Sequence, residues 1–287
     1  MKRILITGSS GFIATEIIDR LSKYKPHWVL HSMTRNALDI TDTPSVDKFF
    51  DTNKIDVVIH CAISGGRRNE PDTPIMVYNN CLMFENLVKH RDKYDLMLTF
   101  GSGAEKDRTQ DIMECDETEF GVQNKSIPKD YYGLSKYIIG KRIADINDNI
   151  INLRIFNVFG TFEAEDRMVK ANIMHYFNSA PIEIHKNRYM DFTGANDLYA
   201  LIDYCIERGS SAIVGRTINV SYQKKVTLVD IANIINNLST HKSDIIIKEE
   251  GLGPAYCGSG LKLKMLGLKL SGLKKSIRQV YTECQNI

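Results

Sequence analysis

Short apolar runs alternate with amphipathic stretches through the first half of the chain. Predicted strands cover residues 4–6, 28–32, 55–60, 96–100 and 150–155. Between most of them, apolar positions recur with helical spacing, and predicted helices cover 12–22, 43–50, 73–90 and 130–147. The run 55–60 is almost wholly apolar, which is typical of a strand covered on both faces. The alternation predicts an α/β fold with a doubly wound parallel sheet.

The pattern is less regular after Asn157. It predicts helices over 167–178, 195–207, 227–237 and 271–284, and strands over 182–184, 217–220 and 245–247. The acidic residues that follow Gly103 are predicted to be irregular, and the glycine-rich residues 251–260 to form a loop. We expect residues 1–160 to form the sheet domain. Residues 161–287 are expected to form mainly a smaller C-terminal α/β substrate lobe, with about 195–220 returning to the sheet.

A glycine-bearing turn separates the first strand from the first helix. Gly8 and Gly11 stand where the backbone must pass close to a bulky negative group. The helix that begins near Phe12 points its free N–H groups and its positive dipole end at the same place. These features predict a pyrophosphate site in a Rossmann-type fold. A tight turn without a ligand remains the alternative, because the spacing G-x-x-G-x-x-A is a weak signal.

The composition limits the class of protein. A hydrophobic content of 43% is that of a globular protein with a sizeable core, and a net charge of +2 does not favour a nucleic-acid or membrane partner. No apolar run approaches the ~20 residues of a membrane span. Since the chain enters its first strand at once, we expect no signal peptide and a cytoplasmic protein. The six cysteines are scattered without C-x-x-C spacing, so neither a metal site nor disulfides are expected.

Two tyrosine–lysine pairs are candidates for acid–base chemistry. Tyr132 and Lys136 are four residues apart and share one helical face, and Tyr137 and Lys141 repeat the spacing. Five helical positions rotate the second pair by roughly 140° from the first, so only one pair faces a given site. The spacing alone does not choose between them.

Several motifs together resemble those of one enzyme family. They are ILITGSSGFIA at the first turn, Ser102 after the fourth strand, Y-x-x-S-K at Tyr132–Lys136, and RIFNVFG over 154–160. The chain resembles the extended short-chain dehydrogenase/reductase family, which comprises nucleotide-sugar epimerases, dehydratases and reductases. The resemblance implies that Ser102, Tyr132 and Lys136 are catalytic, and that Asn80 is structural.

The resemblance also implies a chemistry. Tyr132 would give a proton to a carbonyl oxygen while hydride arrives from a nicotinamide, and Ser102 would hydrogen-bond the same oxygen. A phenol has an ordinary pKa of about 10, and lowering it to about 7 requires roughly 4 kcal/mol. An ammonium about 4 Å away supplies that much at an effective dielectric of ~20. Lys136 would therefore lower the pKa of Tyr132 and also hold the cofactor ribose.

The segment from Met33 to Ile40 is similar to that of GDP-fucose synthase and dTDP-rhamnose-type reductases. Arg35 then stands where NAD-specific enzymes have a carboxylate, which favours NADP, and Asp39 and Ile40 would lie against the adenine. A solvated loop arginine is the alternative for Arg35. The cofactor contacts implied by the resemblance are Gly8, Ser10, Gly11, Phe12, Ile13, Arg35, Asp39, Ile40, Ala62, Tyr132, Lys136 and Phe156.

Departures from the family motifs reduce the number of reactions that we expect this chain to catalyse. The 4,6-dehydratases have an Asp-Glu pair after the Ser/Thr, where this chain has Gly103 and Ala104. The epimerising Cys and His of GDP-fucose synthase are replaced by Ala104 and approximately Met168. We therefore expect reduction without epimerisation. The substrate contacts implied are Ser102, Gly103, Asn157, Lys170 and Arg188, and ordinary surface charge is the alternative for the last two.

The expected function is NADPH-dependent reduction of the 4-keto group of a nucleotide-diphosphate 4-keto-6-deoxysugar, in deoxysugar and polysaccharide biosynthesis. Relatives dimerise through the helix that carries Tyr and Lys, so the resemblance implies a homodimer. A 4-epimerase with tightly bound NAD is the nearest alternative. An NADP-binding sensor or scaffold of the same fold is the alternative from another class.

Overall fold

The structure is a computed structural model that describes residues 1–66, 70–120 and 127–285. The chain divides into two compact units. The first contains Met1–Asp107, Glu117–Ile155 and Leu201–Ile218, and the second contains Arg108–Asp116, Phe156–Ala200 and Asn219–Ile287.

The strands, in chain order, are β1 (Arg3–Thr7), β2 (Val29–Met33), β3 (Val57–His60), β4 (Leu96–Ser102), β5 (Ile112–Cys115), β6 (Ile150–Ile155), β7 (Val158–Phe159), β8 (Ile182–Asn187), β9 (Thr193–Gly194), β10 (Thr217–Val220), β11 (Ile245–Leu252) and β12 (Tyr256–Gly258). The α-helices are α1 (Phe12–Tyr24), α2 (Thr43–Thr52), α3 (Pro74–Val88), α4 (Tyr131–Ile146), α5 (Met168–Phe177), α6 (Ala195–Arg208), α7 (Leu228–Asn236), α8 (Leu261–Met265) and α9 (Leu273–Cys284). Within the described ranges, no helix has the length and apolar character needed to cross a membrane.

A six-stranded parallel sheet has the strand order β10-β6-β4-β3-β1-β2. The chain passes from β2 at one edge to β3 on the other side of β1, so the strand order reverses between β1 and β3. Ligands of such sheets bind at the carboxyl ends of the strands beside this reversal. The predicted α/β fold with a doubly wound parallel sheet is confirmed.

The core of the first unit lies between this sheet and α2, α3 and α4. Leu5, Val58 and Met97 from the strands pack in one cluster with Phe84 and Leu87 from α3. Each is at most 1% exposed. Burying one such side chain contributes about 1.5–3 kcal/mol, which is why the apolar runs of the sequence predict these strands.

The second unit has its own core and small sheets. Val169, Ile173, Ile184, Ile231 and Ile277 from α5, β8, α7 and α9 share one buried cluster. Two-stranded parallel ladders join β8 to β11, β5 to β12 and β7 to β9.

Two sequence predictions for the second unit are wrong. Residues 251–260 are not simply a loop, since β11 continues to Leu252 and β12 follows. The acidic segment after Gly103 contains β5, in which Ile112 is paired with Tyr256 of β12. Both strands are only four and three residues long, and each is stabilised by a partner far along the chain, so local periodicity does not reveal them.

Candidate active site

The turn after β1 brings the backbone very close to the end of β3. Gly8 has a φ of +64°, and a Cβ on it would lie 2.6 Å from Cα of Ala62. Gly11 N donates to Gly8 O at 2.9 Å, and Gly11 is the N-cap of α1. The first N–H groups of a helix have no acceptor within the helix. The close approach and these N–H groups fit the pyrophosphate of a dinucleotide.

The ends of β1 and β3 are joined beneath this turn. Thr7 Oγ1 is 2.9 Å from Nδ1 of His60 and accepts a 3.3 Å hydrogen bond from Ala62 N. Burial lowers the pKa of His60 to about 3, so its imidazole is neutral at physiological pH. Of the other predicted cofactor contacts in the turn, Ser10 is exposed, and Phe12 and Ile13 are partly buried at the start of α1.

The segment after β2 places Arg35 and Asp39 at the surface. The Arg35 side chain is 76% exposed, and its Nε donates to Asp39 Oδ2 at 3.1 Å. A hydrogen bond from the Thr41 hydroxyl, with further ones from Thr41 N and Arg35, lowers the pKa of Asp39. The side chain of Ile40 is 3% exposed and packs in the core of the first unit. Its contact with an adenine stays a prediction.

Ser102 is the last residue of β4 and caps a short 3₁₀ turn, Gly103–Glu105. Its Oγ accepts a 3.1 Å hydrogen bond from Ala104 N, and its own N–H donates to Glu105 Oε1 at 3.1 Å. The bond from Ala104 directs a lone pair of the hydroxyl toward the turn. A hydroxyl oxygen that accepts one hydrogen bond keeps its own O–H as a donor.

Helix α4 lies across the end of β4 at two contacts. A Cβ on Gly133 would lie 2.6 Å from the carbonyl oxygen of Ala104, so only glycine allows this approach. Lys136 Nζ donates to the carbonyl oxygen of Phe100 at 2.6 Å. These contacts lie two residues after and two residues before Ser102. They place the helix of Tyr132 and Lys136 against the end of β4, which carries Ser102.

The ammonium of Lys136 lies 5.8 Å from the centroid of the Tyr132 ring. Burial lowers the pKa of Lys136 to about 8, against the opposing effects of Glu105 and Cys61. In the second pair, the Lys141 ammonium lies 5.0 Å from the centroid of Tyr137, a buried ring that is 8% exposed. The structure thus brings the first pair, and not the second, to the end of β4.

A loop that local sequence reasoning did not place beside Tyr132 contacts its ring. A Cβ on Gly66 would lie 2.7 Å from Cδ2 of Tyr132. Buried Asn80 holds this loop, because its Oδ1 accepts from Ser64 N at 2.8 Å and its Nδ2 donates to Ser64 O at 3.0 Å. The same Nδ2 donates to Ser135 Oγ on α4 at 3.1 Å. Asn80 therefore connects the loop to the helix of Tyr132.

Glu105 is a second residue that the sequence predictions missed. Its carboxylate is buried and forms an ion pair with Arg154, whose Nη2 lies 2.7 Å from Oε2. A sequence signal was present, since Ser102–Glu105 has the S-x-x-E spacing of a capping box and the structure forms that box.

The remaining predicted residues lie in the second unit. Asn157 Nδ2 donates to Asp191 O at 2.8 Å, and the buried ring of Phe156 packs edge-on against Tyr256. Lys170 is 8% exposed and its ammonium donates to Thr161 O at 2.6 Å. Arg188 is partly exposed beside Gly253, whose Cβ would lie 3.3 Å from Arg188 Nε.

The structure describes all six cysteines, and all are free. Among the residues it describes, no group of three or more His, Cys, Asp or Glu side chains is arranged to hold a metal ion.

Comparison with known proteins agrees with this fold. Residues 4–221 match the model of the NAD dependent epimerase/dehydratase family. The chain is 25% identical over 249 residues to GDP-6-deoxy-D-talose 4-dehydrogenase from Aggregatibacter actinomycetemcomitans, covering 85% of this chain and 82% of that protein. It is 24% identical over 251 residues to UDP-glucose 4-epimerase from Caenorhabditis elegans, covering 70% of each.

A solved structure is similar over nearly the whole chain. It is GDP-mannoheptose C4 reductase from Campylobacter jejuni with NADP bound, with a TM-score of 0.80, 19% identity, and coverage of 99% of this chain and 98% of that one. The resemblance noted from the motifs is confirmed by the family match, which spans most of the chain. The protein belongs to the NAD dependent epimerase/dehydratase family.

Proposed function

We propose that this protein uses NADPH to reduce the 4-keto group of a nucleotide-diphosphate 4-keto-6-deoxysugar, without epimerising the sugar. The proposal is supported mainly by the position of Ser102 and of the helix of Tyr132 and Lys136 at the end of β4. The two residues after Ser102, Gly103 and Ala104, have no acidic side chain. When bound, a reduced nicotinamide supplies the hydride for such a reduction.

Each of the three side chains has a separate role in the proposed reduction. The Ser102 hydroxyl donates a hydrogen bond to the carbonyl oxygen and stabilises negative charge as it develops there. Tyr132 transfers its phenolic proton to that oxygen, and solvent later returns a proton to the phenolate. The ammonium of Lys136 stabilises the phenolate through the field of a partly buried charge.

The turn after β4 argues against elimination of water and against epimerisation. Gly103 and Ala104 carry no ionisable group where dehydratases have two acids. The next carboxylate is that of Glu105, which is buried against Arg154 and the Ser102 N–H and is therefore not positioned to exchange protons with a substrate. The lack of acids at residues 103 and 104 therefore favours reduction over elimination of water and over 3,5-epimerisation.

The residues of the first unit support a dinucleotide with a 2′-phosphate. We propose that the N–H groups of the turn from Gly8 to Ile13 bind the pyrophosphate and that Arg35 binds the 2′-phosphate. Arg35 is exposed and already carries a partner in Asp39, which it can keep while it meets a phosphate. The similar reductase from Campylobacter jejuni has NADP bound.

For the substrate diphosphate we propose Arg188 and Asn157 of the second unit. A guanidinium matches phosphate geometry with paired N–H donors. Arg188 is only partly buried, and no carboxylate among the described residues forms an ion pair with it. Lys170 is the weaker candidate because its ammonium already binds a backbone carbonyl.

A homodimer through α3 and α4 is part of the proposal. Ile75, Tyr78 and Ile138 on these helices are between 39% and 61% exposed, although they are large and apolar. Covering them against a second copy would remove that apolar surface from water. Light scattering of the purified protein would measure the mass directly.

The function is tested by incubating the purified protein with NADPH and a panel of GDP-, UDP- and dTDP-linked 4-keto-6-deoxyhexoses and 4-keto-heptoses. We expect oxidation of NADPH with at least one member, and a product that differs from the substrate only at C4 when examined by NMR. If NADPH is oxidised with no member of the panel, the proposal is wrong.

A 4-epimerase is the competing function, because similar proteins include UDP-glucose 4-epimerases. Such an enzyme would retain NAD through purification and interconvert UDP-glucose and UDP-galactose without net oxidation. A protein that binds NADP but turns over neither class of substrate would instead be a sensor or scaffold.

A further inference from the structure

The carboxylate of Glu105 takes no part in the proposed reaction, yet it lies between the elements that carry the reacting groups. Its Oε1 accepts the 3.1 Å hydrogen bond from Ser102 N. Its Oε2 accepts from Nε and Nη2 of Arg154 at 3.0 and 2.7 Å. The side chain is 2% exposed, so its charge is removed from water and held by neighbours on two strands.

Two glycines leave the space that this carboxylate fills. A Cβ on Gly140 would lie 2.7 Å from Glu105 Oε2, and a Cβ on Gly101 would overlap Oε1. Gly101 precedes Ser102 on β4, and Gly140 lies one helical turn after Lys136 on α4. The carboxylate therefore occupies the junction of the strand of Ser102 and the helix of Lys136.

We propose that Glu105 is a positioning residue of this site, which fixes Ser102 through its backbone N–H and places its carboxylate between the strand of Ser102 and the helix of Lys136. The inference rests on the proposed function for its kinetic consequence only. A buried ion pair that served packing alone could be replaced by apolar side chains at little cost. The Glu105–Arg154 ion pair differs, because Glu105 also accepts a hydrogen bond from the backbone of Ser102, and a role in positioning Ser102 can therefore be tested.

The charges that face Lys136 are few. Glu105 raises its pKa, while burial lowers it to about 8. The Cys61 thiol, which follows β3, is neutral, because burial raises its own pKa well above the usual range. His60 at the end of β3 is neutral, because its own pKa is about 3. Phe100 contributes a carbonyl oxygen from β4, and Tyr132 lies on the same helix. Removing the charge of Glu105 therefore lowers the pKa of Lys136 further, and leaves Arg154 as an additional uncompensated cation.

The experiment compares Glu105→Gln, Glu105→Asp and the wild type by NMR without substrate. Glu105→Gln keeps an acceptor for the Ser102 N–H but carries no charge, so the Lys136 side-chain ¹⁵N signal, assigned with Lys136→Arg, should titrate about one pKa unit lower. Glu105→Asp keeps the charge but has shorter reach. It should leave that titration close to wild type and speed hydrogen exchange of the Ser102 amide.

The kinetic readout follows from the same variants. In Glu105→Gln the alkaline limb of kcat/KM should move down with the pKa of Lys136. In Glu105→Asp kcat should fall by about 10- to 100-fold with little change in KM, since a displacement of about 1 Å can cost on the order of 100-fold.

Glu16→Gln is the matched control, because Glu16 forms a buried ion pair with Arg20 within α1 of the same unit. It should lower the melting temperature without moving the Lys136 titration or the Ser102 exchange rate. If the Glu105 variants behave like this control, Glu105 is merely structural and the inference is overturned. Absence of NADPH oxidation by the wild type would contradict the proposed function alone, because the NMR readouts need no substrate.

Discussion

Gly66 packs directly on the ring of Tyr132. A Cβ added to Gly66 would lie 2.7 Å from Cδ2 of that ring. Gly66 has a φ of +75°, and its N–H donates to Asp72 Oδ1 at 2.9 Å. The ring of the proposed acid is thus bounded by backbone, which cannot move aside as a flexible side chain can. The contact restricts where the phenolic oxygen can lie.

Gly66→Ala should therefore lower kcat more than it lowers stability. The new Cβ must displace either the loop or the ring of Tyr132, and a displacement of about 1 Å can reduce the rate on the order of 100-fold. Gly209→Ala is the matched control, since Gly209 has a φ of +68° with nothing within 4 Å of its Cβ position. Steady-state kinetics and thermal melts of both variants separate the effects. Equal kcat values in the two would contradict this role of Gly66.

Tyr132→Phe should abolish turnover while leaving NADPH binding intact. A general acid contributes about 100- to 10,000-fold, and the phenylalanine ring keeps the packing against Gly66. Fluorescence titration with NADPH and single-turnover kinetics would measure the two properties. Tyr137→Phe removes the hydroxyl of the other pair and should retain wild-type kcat. Loss of turnover in Tyr137→Phe alone would reassign the acid.

Arg35→Ala should change the choice of coenzyme. Loss of a charge-assisted hydrogen bond to a phosphate costs about 1.5–3 kcal/mol, which is about 10- to 100-fold in kcat/KM for NADPH. The value for NADH should not fall, because NADH has no 2′-phosphate. Arg91→Ala is the control, since Arg91 is also exposed in the first unit and pairs with Asp148. A parallel loss with both coenzymes would remove Arg35 from phosphate recognition.

The protein should lose stability below neutral pH through His60. Its pKa is about 3 in the folded state, compared with an ordinary value of 6.5, so the unfolded chain binds more protons between these values. The contribution of neutral His60 is complete above pH 6.5 and is lost as pH falls toward 3, at about 1.4 kcal/mol per unit. Urea unfolding at several pH values should show a shallower dependence in His60→Gln. His185→Gln, at an exposed histidine, should keep the wild-type dependence.

Arg188→Ala should raise KM for the nucleotide sugar by about 10- to 100-fold, since it removes a charged partner of the diphosphate. The Kd for NADPH should stay unchanged, because the predicted NADPH contacts at Gly8, Gly11 and Arg35 lie in the first unit. Lys186→Ala is the control, because Lys186 lies two residues earlier on β8 and pairs with Glu249. An unchanged KM in Arg188→Ala would assign Arg188 to the protein surface.

Local patterns were enough to predict most of the first unit. The predicted strand 150–155 has the same bounds as β6, and the strand predicted over 217–220 has those of β10. These runs are apolar because both faces of the sheet are covered, and burial gives them a strong periodic signal. Strands β5 and β12 were missed because each is very short and is stabilised by pairing with a strand about half the chain length away.

The residues of the candidate site likewise include some that the sequence predicted and some that only the structure revealed. Motifs named Ser102, Tyr132 and Lys136 as candidates, because a motif is a short local spacing. The residues 64–66 resemble a loop that flanks the sugar in GDP-fucose synthase, but that resemblance does not predict the contact of Gly66 with Tyr132. The contact depends on a loop held by Asn80. Ile40 is apolar in a segment expected to meet a cofactor, and the structure buries its side chain in the core.

The sequence by itself determined the strands of the six-stranded sheet and most of the helices, the glycine turn after β1 and the kinds of reacting groups, since these depend on neighbours a few residues apart. Only the tertiary structure decided that Lys136 reaches the carbonyl of Phe100, 36 residues away, and that Glu105 is paired with Arg154, 49 residues away. Such contacts form when elements pack, and a buried carboxylate is stable only where the fold supplies its partners. The folded sheet and α4 supply those partners at the end of β4.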